Sequence, residues 1–312
     1  MTTVLGSAVG SAVPAGPAAG RPAPGTTPHG RRNNWAVFFL LLPAALLTLG
    51  IFSYPLVVAL WRSFAFPELG LQNYEWFFGS ASNLGILWRT LWVAFLTMAI
   101  CLALAYPYAY LMTISGKRTR NVLLILVMVP FWTSLMIRTF AWIILLQDNG
   151  LVNAGLEAIG IGPLALMRNP IGVLIGMVQV LLPFMVLPLY NAMSGVDLRL
   201  MQAATSLGAT PTVAFMKVFV PLAMPGVLSG SLLVFIQALG FYITPALLGS
   251  PTEMLISQYI YTQVSGQLQW GRGAVLGVVL LVAVLILLAA MAALGRLGRK
   301  RATAPTPDGG AA

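Results

Sequence analysis

The chain contains the stretch NPIGVLIGMVQVLLPFMVLPLYNAMSGV at residues 169–196, which carries no Asp, Glu, Lys or Arg. An α-helix rises about 1.5 Å per residue, so roughly 20 apolar residues cross the hydrocarbon core of a bilayer, which is about 30 Å thick. In lipid, a helix also satisfies every backbone hydrogen-bonding group within its own segment. The stretch therefore predicts a transmembrane helix.

Five further runs of comparable length lie on both sides of this stretch. They extend over Trp35–Trp61, Thr90–Gly116, Asn121–Gln147, Val218–Thr252 and Gly273–Gly295. The third of them is interrupted only by Arg138. Helices in the core of a soluble protein are the alternative for any single run, but six such runs in 312 residues leave no chain to surround a core. The sequence predicts an all-α, polytopic membrane protein with six transmembrane helices.

The composition supports lipid as the solvent of this chain. Apolar residues make up 59% of the sequence and charged residues 8%, whereas about 25% of residues are charged in ordinary globular proteins. The net charge of +10 is a feature of nucleic-acid-binding proteins, but the 17 Lys and Arg are scattered between the apolar runs. We therefore expect membrane lipid, and no nucleic acid, as a partner. Cys101 is the only cysteine, so no disulfide forms within the chain.

The positions of Lys and Arg predict the orientation of the six helices, because these residues concentrate in cytoplasmic segments. With the amino terminus inside, four lie in outer connections and twelve in inner ones, besides Arg138. The outer four are Arg62, Arg89, Arg168 and Arg272. The inner twelve are Arg21, Arg31, Arg32, Lys117, Arg118, Arg120, Arg199, Lys217, Arg296, Arg299, Lys300 and Arg301. Both termini are therefore predicted to be cytoplasmic.

The two ends of the chain differ from the transmembrane domain, which we predict at residues 35–295. Residues 1–34 are rich in Ala, Gly, Pro, Ser and Thr, a composition typical of disorder. This segment is predicted to be a disordered cytoplasmic tail. Residues 296–312 are predicted to form a second, carboxyl-terminal cytoplasmic tail.

The connection between spans four and five contains more structure than a simple linker. It lies in SGVDLRLMQAATSLGATPTVAFMKVFVPLAMPG, residues 194–226. Asp197 is a suitable N-cap for a short helix, and Gly208 can adopt the left-handed conformation that ends one. Thr210 and Pro211 fit the N-cap and first position of a second helix, which leads into span five. An amphipathic helix that only anchors the loop to the membrane surface would show the same pattern.

The residues of this loop resemble the cytoplasmic loop of ABC importer permeases, whose pattern is E-A-A-x3-G-x9-I-x-L-P. The matching residues are Gln202, Ala203, Ala204, Gly208, Val218, Val220 and Pro221. In that family the helix docks into a cleft of the ATPase subunit and transmits nucleotide-driven motion to the spans. The resemblance thus implies a cytoplasmic coupling helix in a loop at residues 197–220. Gln202 replaces the usual acid, so a neutral hydrogen bond would replace a charged contact.

Three other segments resemble spermidine/putrescine permease subunits of this superfamily. They are residues 130–153, 181–204 and 240–249, and the whole resemblance covers residues 35–295. It implies a bacterial inner (plasma) membrane protein that works with ATP-binding cassette ATPase subunits, a second permease subunit and a periplasmic solute-binding protein. The implied solute is a polyamine, spermidine or putrescine. An importer of the same class for an opine, a phosphonate or another amine is the alternative.

Several motifs of other functions are missing from the sequence. No G-x4-G-K-[ST] phosphate loop occurs, so we expect ATP to bind to separate ATPase subunits and this chain to hold no cofactor. His29 is the only histidine, and neither an HExxH motif nor a paired-Asp motif occurs. We therefore expect no catalytic residue, no metal site and no enzyme activity. A secondary transporter would carry buried acids, but none lies within the predicted spans, with Asp148 at an outer edge.

Four residues are candidates for the solute pathway. Arg138 is the one charge within a predicted span and lies about 13 Å from the outer end of that span. It would either extend to the interface, act in gating, or contact the second permease subunit. Trp132, Trp142 and Tyr242 would make cation–π contacts with a cationic solute, or serve in packing or as anchors at the membrane interface.

Overall fold

A computed structural model of the chain describes residues 34–302. The predicted amino-terminal tail, except for Asn34, lies outside these residues. The predicted carboxyl-terminal tail begins within a helix that continues to Ala302, and its residues 303–312 also lie outside. Residues 54–302 belong to one compact unit.

Residues 34–302 form helices and no strand. In chain order the helices are α1 (Asn34–Ala65), α2 (Gln72–Phe78), α3 (Ala81–Ile114), α4 (Lys117–Met128), α5 (Leu135–Leu146), α6 (Leu151–Ala158), α7 (Pro170–Ser194), α8 (Arg199–Ser206), α9 (Pro211–Ala214), α10 (Val220–Leu239), α11 (Ile243–Leu248), α12 (Ile256–Tyr261) and α13 (Trp270–Ala302). Turns of 3₁₀-helix occupy Val129–Trp132 and Pro251–Glu253, and π-helical turns occupy Phe215–Phe219 and Thr262–Gly266.

Six stretches of the described chain are long and apolar enough to cross a membrane. They are Leu41–Ala65, Ala81–Ile114, Leu135–Ala158, Pro170–Ser194, Pro211–Leu239 and Trp270–Ala289. The prediction of an all-α polytopic protein with six transmembrane helices is confirmed.

The third predicted span, Asn121–Gln147, is wrong as a single helix. The chain leaves the helical conformation at Thr133 and Ser134, whose ψ angles are 148° and 136°. Pro130 lacks the N–H that a continuous helix would need, and its carbonyl oxygen accepts both the N–H and the hydroxyl of Thr133. The third stretch that is long and apolar enough to cross the membrane is instead Leu135–Ala158, which itself consists of α5 and α6. Asp148 and Glu157, both exposed, lie within it.

The main core is formed where α3, α7 and α10 pack together. Gly226 and Gly230 lie four residues apart on α10 and allow it to approach α7 closely. A Cβ atom at Gly226 would lie 2.9 Å from the carbonyl oxygen of Pro188, and one at Gly230 would lie 2.9 Å from the sulfur of Met185. Small residues at this spacing are typical of close helix contacts in membranes, where dispersion forces and close fit drive association.

A second, smaller core lies where α2 and α12 meet the first turns of α13. Phe77 of α2 is fully buried there against Ile256, Val275 and Leu276. Asn73 of α2 donates hydrogen bonds to the carbonyl oxygens of Ser63 (3.2 Å) and Phe66 (2.8 Å). These bonds fix α2 to the end of α1.

Candidate functional site

The loop between α7 and α10 carries α8, a helix of eight residues. The side chain of Asp197 accepts a hydrogen bond from the backbone N–H of Arg199 at 2.9 Å. Leu198 already has helical φ and ψ angles of −63° and −16°. Asp197 therefore makes the bond by which an N-cap side chain stabilises the start of a helix, as predicted.

Gly208 ends α8 in the left-handed conformation that the sequence predicts, with φ of +92°. The N–H of Gly208 donates to the carbonyl of Thr205 (3.0 Å), and the N–H of Ala209 donates to that of Ala204 (3.1 Å). This pair of bonds is a Schellman motif, which satisfies the last carbonyl groups of a helix. A Cβ atom at Gly208 would meet no atom within 4 Å, so glycine is favoured here by the backbone conformation and not by a steric contact.

A second helical segment begins directly after this turn, as predicted. The hydroxyl of Thr210 accepts a hydrogen bond from the N–H of Val213 at 3.4 Å, and Pro211 is the first helical residue. The π-helical turn at Phe215–Phe219 then joins α9 to α10. Because Pro221 has no N–H, the helical hydrogen-bond ladder is interrupted at this residue, and the π-helical turn lies just before it.

One side of α8 is attached to the main core, and the other is free in the described part of the chain. Met201 packs against that core. Gln202, Ala203 and Gly208 are exposed, as is Pro221 at the start of α10, while Ala204 is half-buried. Leu207, at the end of α8, is 89% exposed. The surface of α8 thus carries an exposed apolar side chain beside the predicted coupling residues.

An aromatic cluster joins the loop to α3. We define it as Tyr106, Tyr110, Phe215 and Phe219. The ring of Tyr110 lies 5.2 Å from those of both phenylalanines, edge to face, and the two phenylalanine rings stack at 5.4 Å. Tyr106 meets Phe215 edge to face at 6.3 Å. Such pairs add about 0.5–1.5 kcal/mol each beyond the area they bury, so the cluster stabilises the contact between the π-helical turn and α3.

The four candidate pathway residues lie on three separate segments. Trp132 ends the 3₁₀ turn and is 82% exposed. Arg138 lies near the start of α5 and is half-buried, and its Nε atom has no hydrogen-bond partner within residues 34–302. Trp142, one turn later on α5, packs against the main core. Tyr242 precedes α11.

Arg138 lies on α5, and Tyr242 directly precedes α11. These two helices are neighbours. The hydroxyl groups of Thr139 on α5 and Thr244 on α11 lie 3.4 Å apart, and both side chains are buried. Tyr242 also lines a cavity of about 170 Å³ together with Tyr261, Gln258 and Thr262. The rings of Tyr242 and Tyr261 lie 5.1 Å apart. Gln258, Tyr261 and Thr262 were not predicted from the sequence, because they meet Tyr242 only through tertiary packing.

Within residues 34–302, no group of three or more His, Cys, Asp or Glu side chains is close enough to hold a metal ion.

Comparison with known proteins places the chain among transport permeases. Residues 105–300 match the family described as binding-protein-dependent transport system inner membrane component. The spermidine/putrescine transport system permease protein PotB of Haemophilus influenzae is 35% identical over 81% of this chain and 88% of its own length. PotB of Escherichia coli is 33% identical over 79% of this chain and 89% of its own length.

Solved structures support the same fold. A bacterial ABC transporter involved in the import of the acidic polysaccharide alginate matches with a TM-score of 0.68 over 84% of this chain and 96% of the matched chain, at 20% identity. The alginate transporter in complex with an alginate-pentasaccharide-bound periplasmic protein matches with a TM-score of 0.66, also at 20% identity, over 81% of this chain and 92% of the matched chain.

The six membrane-crossing stretches and the matched family agree on a multi-pass protein of the inner membrane. The match extends from the middle of α3 into α13 and so includes α7, the α8 loop and α10. The chain belongs to the family of binding-protein-dependent transport system inner membrane components.

Proposed function

We propose that this chain is the permease subunit of an ATP-driven ABC importer, which translocates spermidine or putrescine delivered by a periplasmic binding protein. The observation that carries the proposal is the exposed helix α8, held by a Schellman motif at one end and attached to the core by Met201. The names of the PotB relatives support the choice of solute.

In this proposal α8 is the coupling helix and lies at the cytoplasmic end of the spans. Gln202, Ala203 and the exposed Leu207 contact the ATPase subunit, with the Gln202 amide as a neutral hydrogen-bonding group. Gly208 and Pro221 set the direction of the helix and of the segment that follows it. Movement of α8 reaches α10 through the π-helical turn, and reaches α3 through the aromatic cluster.

The energy for transport comes from other chains. Because the sequence has no phosphate loop, ATP is bound by separate ATPase subunits and this chain holds no cofactor. A second permease subunit completes the pathway, and the periplasmic binding protein supplies the solute. The chain itself catalyses no reaction.

The solute pathway runs past Tyr242 and the helices next to it. Tyr242 and Tyr261 present two adjacent aromatic rings, and Gln258 and Thr262 add polar groups to the same cavity. Aromatic faces attract ammonium groups, and a polyamine carries several. Arg138 would repel such a solute, so its role is in gating or in a contact with the second permease subunit. Trp132 and Trp142 remain candidates for contacts along the pathway.

We expect both termini to lie in the cytoplasm, because twelve Lys and Arg fall in the segments that this orientation places inside and four in those outside. Fusion of a reporter that is active only in the cytoplasm to each terminus will test this orientation. Active fusions at both ends are expected. An inactive carboxyl-terminal fusion, combined with activity of a periplasmic reporter at that site, would reverse the orientation.

Cells that lack this protein should lose high-affinity uptake of putrescine or spermidine, since the other importer subunits have no path across the membrane without it. Uptake of radiolabelled polyamine in a deletion strain is the measurement, with the plasmid-borne wild-type gene as the control that restores it. Unchanged polyamine uptake beside lost uptake of an opine or a phosphonate would assign the importer to another solute.

A further inference from the structure

Two cavities meet where the end of α1 faces the start of α13. The first, of about 310 Å³, is lined by Trp61, Arg62, Ala65, Phe66 and Trp270. The second, of about 360 Å³, is lined by Tyr54, Pro55, Val58 and Ala59 of α1 and by Gly273 and Ala274 of α13, among others. Arg62 and Trp270 line both. Each volume lies within the range of about 300–1,000 Å³ that small-molecule sites occupy.

The first cavity has a positive charge that no carboxylate neutralises. The guanidinium of Arg62 lies 5.0 Å from the centroid of the Trp270 ring, a cation–π contact. Among the described residues that line the two cavities none is acidic, and Arg62 forms no ion pair within residues 34–302. A guanidinium in this setting keeps most of its N–H donors free for an anion.

The second cavity is apolar and extends along the span away from Arg62. Its α1 residues recur on one helix face from Tyr54 to Ala59, and Tyr54 lies eight residues before Arg62, or about 12 Å at helical rise. On the α13 side, Gly273 packs against Val264, which also lines this cavity, and Ala274 adds only a methyl group. A cavity with one cationic end and one apolar end of this length fits an amphiphile.

The position of the cavities in the spans identifies the kind of amphiphile. Arg62 lies in the last turn of α1, near the end of the first membrane-crossing stretch, and Trp270 is the first residue of the sixth. Trp61, the residue before Arg62, is 66% exposed. Tryptophan at the ends of spans marks the level of the lipid headgroups, so the cationic cavity lies at that level and the apolar cavity lies among the acyl chains.

We propose that these cavities form one binding site for an anionic phospholipid. The phosphate contacts the Arg62 guanidinium, and an acyl chain lies in the apolar cavity between α1 and α13. A free phosphate or glycerol phosphate would leave the apolar cavity unused. A zwitterionic lipid would bring a second cation toward Arg62, where no acid compensates it. The bound lipid joins the end of α1 to α13, whichever solute the protein carries.

The importer purified in mild detergent will test this site by native mass spectrometry, with phosphatidylglycerol and phosphatidylcholine of identical acyl chains as probes. The wild type should retain phosphatidylglycerol about tenfold better, the factor expected of one charge-assisted contact. Arg62→Gln should abolish that preference. Arg272→Gln is the matched control, since Arg272 lies 4.9 Å from the Trp76 ring in the same way but lines neither cavity.

Two further arms separate the headgroup from the acyl chain. Ala59→Phe fills the apolar cavity and should lower retention of phosphatidylglycerol although Arg62 is intact, and soluble glycerol 3-phosphate should not compete. Thermal unfolding of each variant identifies those that fail to fold. If Ala59→Phe fails to fold, Val58→Phe, which fills the same cavity, replaces it. Equal loss in the Arg62 and Arg272 variants, or competition by glycerol 3-phosphate, would overturn the proposal, as would an unchanged preference in Arg62→Gln.

Discussion

Replacement of Gly208 by valine is expected to reduce polyamine uptake by at least about tenfold while the amount of membrane-inserted protein stays the same. Gly208 has φ of +92°, and a Cβ atom would meet nothing within 4 Å. The whole effect is therefore backbone strain, which costs about 1–2 kcal/mol for residues with a Cβ and more for a β-branched side chain. This strain is too small to unfold spans whose backbone hydrogen bonds are secured within the bilayer. It is large enough to open the Schellman turn and redirect α8.

Two variants separate strain from side-chain size. Gly208→Asn adds a side chain of similar volume, but asparagine tolerates the left-handed region, so uptake should remain close to that of the wild type. Gly195→Val places valine in the same loop at a residue with φ of −81°, where no such strain arises, and should also transport. Uptake and membrane-inserted protein are measured in parallel for all three. Normal uptake by Gly208→Val would show that α8 only anchors the loop.

The purified chain is expected to hydrolyse no ATP, whereas hydrolysis should appear when it is co-purified with its ATPase subunits. The sequence has no loop to hold the phosphates. Phosphate release in detergent, with and without the ATPase subunits, is the measurement. The complex that carries Gly208→Val is the control, since it contains every subunit but should not respond to the solute-loaded binding protein. Sustained turnover by the isolated chain would refute its assignment as a permease subunit.

The transmembrane spans could be predicted because lipid, as the solvent, requires long apolar helices. A run of about 20 residues without charges has few alternatives in a chain of this composition. The α8 loop was predictable for a different reason, since its structure depends on local backbone chemistry. Gly208 ends a helix and Thr210 begins one through bonds to residues three to five positions away, and such short-range signals are visible in the sequence.

The break in the third span was not predicted, although its cause is in the sequence. Pro130 marked a place where a helix can end, but prolines also lie inside continuous membrane helices, as Pro183 and Pro188 do in α7. The outcome depends on whether neighbouring groups satisfy the freed backbone atoms. At Pro130 the hydroxyl of Thr133 bonds the exposed carbonyl and the chain turns out of the helix. Whether the helix breaks at a proline thus depends on tertiary contacts, which the periodicity of the sequence does not reveal.

The surroundings of Tyr242 also lay beyond the sequence. Tyr261 lies 19 residues later and meets Tyr242 only in the folded chain, where the two rings are 5.1 Å apart. Helical periodicity predicts contacts between residues three or four positions apart, so it does not reveal a contact over this separation. The cavities shared by Arg62 and Trp270 join helices more than 200 positions apart in the same way.

The central claim is that a separate ATPase drives this chain to import a polyamine. Uptake by proteoliposomes tests this claim most directly. Vesicles that contain this chain, the second permease subunit and the ATPase subunits are loaded with ATP, and the binding protein and radiolabelled putrescine are added outside. We predict uptake that requires ATP hydrolysis and the binding protein, and that stops when Gly208→Val replaces the wild type. Uptake that proceeds without ATP and follows an imposed proton or sodium gradient would contradict the account, because it would make the chain a secondary transporter.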